Sequence, residues 1–360
     1  MNPTISARLK VKDEGLEGIS ILAIVEQLER EAVSRSGLKP VPLLNGKAQV
    51  HIAQGGEPYE MVCEVFEKIG VEKVIWPGDV VVVKPNFSML WKLPWRGTLT
   101  SREMIEATVR AVKERTEAGQ IIIAEGGGGS QTWESYLKFN IVEIAQRYGT
   151  GLVDLNWDET WKIRIPDAYV MKELWVTRTI HQVADVVISL PVLKVWGTGV
   201  TLTVKNMIGV APGRHYGFAK NGIPHRRDDP ADNVYGQSRT LAGAIVDIAY
   251  ANRVNIAIID ALTMAYPKRM PKKGARIYKG EWEVYPLNAV IGGFDPVATD
   301  AIGCAVMCLN NRKVLHLNMA EEKGLGINDL EKIVVTGESV ESVRHPANPY
   351  SPEQEEIMLR

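Results

Sequence analysis

The chain has 360 residues, of which 45% are hydrophobic and 24% charged, with a net charge of −1. Such values describe a soluble globular protein with a sizeable core, about two domains by length or one large α/β domain. The near-neutral charge excludes bulk attraction to nucleic acid or to a membrane surface, and no apolar run reaches the roughly 18 residues of a spanning helix.

Residues 1–48 read as an N-terminal extension. Charges are scattered through the first fifteen residues, so no secretory signal is expected. The three cysteines, Cys63, Cys304 and Cys308, cannot all pair and lack C-x-x-C spacing. A cytoplasmic location is therefore expected. Residues 19–32 have helical periodicity, and Pro40 and Pro42 then interrupt the chain.

From residue 49 apolar strands alternate with amphipathic helices up to about residue 340, with 341–360 as a tail. Strands are expected at 79–83, 121–124, 152–155, 185–190, 256–259, 288–291 and 333–336. Helices are expected at 58–69, where Met61, Val62, Val65, Phe66 and Ile69 share one face, and at 101–117, 133–148, 238–251 and 296–309. This alternation predicts an α/β fold, a mainly parallel sheet covered by helices on both faces. Residues 211–237 form a long polar insertion, a kind of segment that is usually functional in a compact domain.

In such sheets ligands bind beyond the carboxyl ends of the strands. The strand ends deliver Lys84 and Asn86, Glu125 with its glycines, Lys194, Asp260 and Asp295 to one edge. Pro85 biases Lys84 towards extended geometry, so its ammonium should continue past the strand. Glu125 opens the run EGGGGS, which matches neither a Walker loop nor G-x-G-x-x-G. The N–H groups of Gly126 and Gly127 could still meet an anion. Val200 to Val204 alternates, which predicts an extended segment with Thr201, Thr203 and Lys205 on one face. The insertion adds Arg214, His215, Lys220, His225, Arg226 and Arg227, which could close over an acidic ligand. His215 and His225 could act as acid, base or metal ligand, or simply be solvated. Asp295 before Pro296 reads as a helix N-cap, whereas Asp300 lies at the border of an apolar helix face, with Cys304 and Cys308 nearer its centre. Trp91 and Trp95 either line a pocket or cap the core.

Together the stretches GDVVVVKPNF, TLTSREMIEATVRAV, IIIAEGGGGS, ADVVISLPVLKVWGTGVTLTVKNMIG, PGRHYGFAKNGIPH, IAIIDAL and GGFDPVATDAIG resemble the family called domain of unknown function 362. The resemblance runs from about Val50 to Gly337. It places weight on Lys84, Asn86, Glu125, Lys194, Lys205, Asn206, Asp260, Asp295 and Asp300. Three positions depart from the family pattern: Ala261 replaces a glycine, and Val195 and Trp196 stand where a histidine is expected. The appended ferredoxin-like cysteine cluster of many relatives is not expected with three cysteines, so neither is an iron–sulfur cluster.

These residues lead to an enzyme acting on a small anionic metabolite, a carboxylate or phosphate ester, by isomerisation or proton abstraction. Glu125, Lys84 and His225 are the candidate catalytic groups. Lys194, Lys205, Asn86, Asn206, Arg214, Gly126 and Gly127 are candidates for holding substrate. Asp260 and Asp300 offer oxygen ligands for a divalent cation. The alternative is a non-catalytic accessory protein that binds a ligand or metal for another enzyme. No nucleic-acid or membrane partner is expected, and a homo-oligomer is compatible with everything above.

Overall fold

The computed structural model describes residues 34–88, 97–128, 132–196, 199–224, 238–267 and 282–344. The helix expected at 19–32 and most of the C-terminal tail lie outside them, as do Trp91, Trp95 and His225. In chain order the strands are β1 (Ala48–Gln54), β2 (Val80–Pro85), β3 (Gln120–Glu125), β4 (Gly151–Asp154), β5 (Thr160–Arg164), β6 (Glu173–Thr177), β7 (Val186–Leu190), β8 (Val192–Trp196), β9 (Gly199–Val200), β10 (Ile256–Pro267), β11 (Trp282–Gly293) and β12 (Ile333–Gly337). The helices used below are α1 (Pro58–Ile69), α2 (Arg102–Arg115), α3 (Thr132–Lys138), α4 (Ile141–Tyr148), α5 (Thr203–Asn206), α6 (Gly213–Tyr216), α7 (Arg239–Ala251), α8 (Pro296–Val306) and α9 (Leu315–Glu322). Among the described residues no helix is long and apolar enough to cross a membrane.

The central sheet runs β12-β1-β11-β10-β7-β2-β3-β4, with β8 also beside β10 and β9 beside β8. Most pairings are parallel, as expected. The exceptions are β11, which runs antiparallel to both β1 and β10, and β9, which runs antiparallel to β8.

Side chains alternate across a strand, so the continuous runs VVVV and III feed two cores. Val82, Ile122, Ala124 and Val187 face one side, against Ile245 and Ile248 of α7, Ala301 and Cys304 of α8, and Leu317 of α9. Val81, Val83, Ile121, Ile123 and Ile188 face the other, against Val65 and Phe66 of α1, Ile105 and Val109 of α2, and Ile144 of α4. Burial on both faces is what makes these strands uniformly apolar.

Three local readings change. The helix expected at 133–148 is two helices, parted at Asn140, whose φ is +53°. Residues 200–204 are not one extended segment, because Thr203 begins the helical turn α5. Strands β5 and β6 form a separate antiparallel hairpin that apolar periodicity did not signal.

Candidate functional site

Four parallel strands end side by side. Lys84 on β2 is opposite Ser189 on β7, and Glu125 on β3 is opposite Asp154 on β4. Beyond them Ser88 and Gly128 still pair, so the segments leaving β2 and β3 remain neighbours past the sheet.

Lys84 is fully buried and Glu125 is 2% exposed. The Lys84 Nζ donates to Glu125 Oε2 at 2.8 Å, to Asn206 Oδ1 at 3.0 Å and to the Pro85 carbonyl at 3.1 Å. The other oxygen, Glu125 Oε1, accepts the Gly126 N–H at 2.9 Å. Asn206 also accepts from Asn86 Nδ2 at 3.0 Å, while its own Nδ2 donates to the Lys84 carbonyl and to Ser189 Oγ. Asn86 Oδ1 in turn accepts from Lys194 Nζ at 2.7 Å, and Lys194 also donates to the Thr98 carbonyl. Sequence reading thus named Lys84, Asn86, Glu125, Lys194 and Asn206 separately, and the fold joins them in one hydrogen-bonded chain.

A second chain of bonds abuts the first. Thr132 Oγ1 donates to Asp154 Oδ1 at 2.8 Å and accepts the Gly127 N–H at 3.1 Å. Asn156 Nδ2 donates to Thr132 Oγ1, and Asn156 Oδ1 accepts Lys220 Nζ at 2.7 Å. Lys220 also donates to the Ala211 carbonyl at 2.6 Å. Among the described residues its acceptors are all neutral, although the charges of Glu125 and Asp154 attract it and that of Lys84 repels it.

Lys205 is partly buried, holds Thr201 Oγ1 at 2.9 Å and stands close enough to repel Lys194. Gly209 closes the centre. A Cβ there would overlap Glu125 Oε1 and lie 2.7 Å from Lys84 Nζ, so only glycine lets this backbone pass over the ion pair.

Burial sets the protonation of these groups, because it penalises whichever form is charged. It raises the Glu125 carboxyl against the pull of Lys84, and it lowers Lys84 against the pull of Glu125. Lys194 is pushed well below the usual ammonium range by burial and by Lys205. Lys205 falls to about 8 and Lys220 to about 7, both chiefly through burial.

Other named residues lie elsewhere. Arg214 donates to Thr160 Oγ1 on β5, and His215 stacks 4.0 Å from Trp175 on β6, so the side chains of both turn from α6 to the hairpin. Asp260 accepts the N–H groups of Ser101 at 2.8 Å and Leu262 at 3.2 Å, which fixes the start of α2. Asp300 accepts from Thr203 at 2.7 Å and Val204 at 2.9 Å, which fixes the start of α5. Asp295 caps α8 through Val297 and Ala298, as its sequence context predicts. Among the described residues no three His, Cys, Asp or Glu side chains are grouped to hold a metal ion.

Sequence reading missed Thr132, Asp154, Asn156 and the position of Lys220. Asp154 and Asn156 close the strand expected at 152–155, so the strand-end rule applied there finds them. Lys220 gives no such signal, because its φ of +57° and its partners are set by the folded loop.

Fold and site together define a doubly covered α/β protein with a buried, lysine-rich polar centre at the carboxyl edge of its sheet. The chain belongs to the family described as domain of unknown function (DUF362), whose model matches residues 81–305, from β2 into α8. No curated protein and no solved structure matches the chain.

Proposed function

We propose that this protein is an enzyme acting on a small anionic metabolite, a carboxylate or phosphate ester, bound where β2, β3 and β4 end. One observation carries the proposal. The centre places Lys84, Lys194 and Lys220 within the field of Glu125, with Asp154 also acting on Lys220 and with Lys205 next to Lys194, and the described acceptors of Lys205 and Lys220 are neutral. Cations held away from water either lose their protons or are offset by an anion. A ligand anion supplies that offset.

Proton transfer is the chemistry that suits the groups. Burial raises the proton affinity of Glu125 and lowers that of Lys84 across a 2.8 Å contact. Both shifts bring the two groups closer in proton affinity, the direction that favours proton exchange between an acid and a base in contact. An incoming carboxylate would draw Lys84 and free Glu125 Oε2 to take a proton beside that carboxylate. Asp260 and Asp300 serve here as framework, holding α2 and α5 in place.

The non-catalytic alternative has one observation in its favour, since both oxygens of Glu125 are already engaged by Lys84 and Gly126. One experiment separates the two. The protein is incubated in deuterium oxide with a panel of small carboxylates and phosphate esters, and deuterium uptake is followed by mass spectrometry. The enzyme reading expects exchange into one compound, with the exchange lost in Glu125→Gln while binding persists. Binding without exchange in the native chain supports the accessory reading, and binding of no anion removes both.

A further inference from the structure

Two large aromatic side chains stand in solvent beside the lysine centre. Trp157 is 63% exposed and Phe218 is 41% exposed. Each is tied along the chain to a buried member of the second network: Trp157 follows Asn156, and Phe218 lies two residues before Lys220. Their rings meet at a centroid distance of 5.2 Å with a tilt of 43°.

Space confirms what the chain order suggests. The point where a Cβ on Gly213 would stand is 2.6 Å from Asn156 Oδ1 and 2.9 Å from Phe218 Cδ1. Asn156 Oδ1 is the atom that holds Lys220 Nζ at 2.7 Å. The Phe218 ring edge and the amide oxygen that holds the buried ammonium therefore both stand close to Gly213.

Packing does not account for this pair. Trp133 is also exposed, but its ring rests edge-on against buried Tyr136 at 5.5 Å. Trp157 and Phe218 lean on each other and leave large areas open. Two exposed aromatic rings grouped beside a buried polar centre form a candidate binding surface. Rigid aromatic faces bind flat rings best, through offset or edge-to-face stacking.

We infer that the ligand of the lysine centre carries a planar aromatic ring: its carboxylate or phosphate lies among Lys220, Lys84 and their neighbours, and its ring lies on Trp157 and Phe218. The inference rests on the anion-binding reading above and narrows it to aryl carboxylates and aryl phosphates.

Calorimetric titration of the full chain tests it. The probes are acetate, benzoate and cyclohexanecarboxylate, then inorganic phosphate and phenyl phosphate. Benzoate and cyclohexanecarboxylate match in charge and ring size but differ in flatness. The native protein is expected to prefer benzoate by about tenfold, the scale of one good aromatic contact. Trp157→Leu and Phe218→Leu should each erase most of that preference and leave acetate and inorganic phosphate affinities unchanged. Both side chains are exposed, so both variants should fold, and their unfolding curves confirm it. Equal affinity for the two ring acids in the native chain overturns the inference while leaving the anion site standing. So does a preference that survives in both variants. If no carboxylate or phosphate binds, the anion reading falls and the ring inference with it.

Discussion

At the scale of single residues, the Lys84–Glu125 pair decides most. Two charges taken wholly out of water attract strongly, but each pays a large desolvation cost. Burial drives both partners towards their neutral forms, and their mutual attraction opposes it. Removing one member leaves the other without its counter-charge. Lys84→Met is therefore expected to cost about 3–5 kcal/mol in urea unfolding, the range for a broken buried pair. Lys84→Met combined with Glu125→Leu should recover most of that loss, because no lone charge remains. If the single change costs less than about 1 kcal/mol, the pair is not ionised in the folded state. Lys84 was legible in sequence because an apolar strand precedes it and Pro85 keeps it extended. Lys220 was not, because nothing near residue 220 encodes acceptors that come from Asn156 and Ala211.

At the scale of elements, the short helix α5 shows why local pattern fell short. The alternation of residues 200–204 favours a strand, yet Thr203–Asn206 is helical. Asp300, almost a hundred residues away, accepts the N–H groups of Thr203 and Val204 and holds the turn in place. A tertiary contact has overridden a local preference. Asp300→Ala should then cost about 1–3 kcal/mol, the penalty for leaving buried donors unmet. It should also weaken anion binding, since α5 carries Lys205 and Asn206. Gly209 makes a sharper test. An added methyl must push apart Glu125 and Lys84, so Gly209→Ala is expected to lose about 1–3 kcal/mol by overpacking and to abolish the anion response in a thermal-shift assay. A fully stable, anion-responsive Gly209→Ala protein would mean that the backbone does not close over the pair.

At the scale of the whole molecule, the parallel half of the sheet was readable because strands buried on both faces are apolar throughout. The antiparallel course of β11 was not, since an apolar run carries no direction, and Asp260 and Thr263 in β10, like Pro286 and Asn288 in β11, interrupt the apolar pattern of strands twelve residues long. Charge burial across the whole fold was equally hidden, and it has a measurable consequence. Burial lifts Asp260 and Asp295 from 3.8 to about 6 and Asp300 from 3.8 to about 7. Between these limits the folded state binds more protons than the unfolded chain, so this contribution to stability is lost as pH rises towards 7. Lys220 and Lys205 shift the other way, from 10.5 to about 7 and about 8. There the unfolded chain binds more protons, so stability is recovered as pH climbs from neutrality towards 10.5. The two trends meet in a minimum near neutral pH, and unfolding free energies are expected to be higher at about pH 9.5 than at about pH 7.5 at fixed ionic strength. Lys220→Met should flatten that alkaline rise. A bound anion favours the charged lysines, so its stabilising effect should shrink between the same two pH values. A flat native profile, or a rise that survives unchanged in Lys220→Met, would show that Lys220 does not give up its proton near neutral pH in the folded protein.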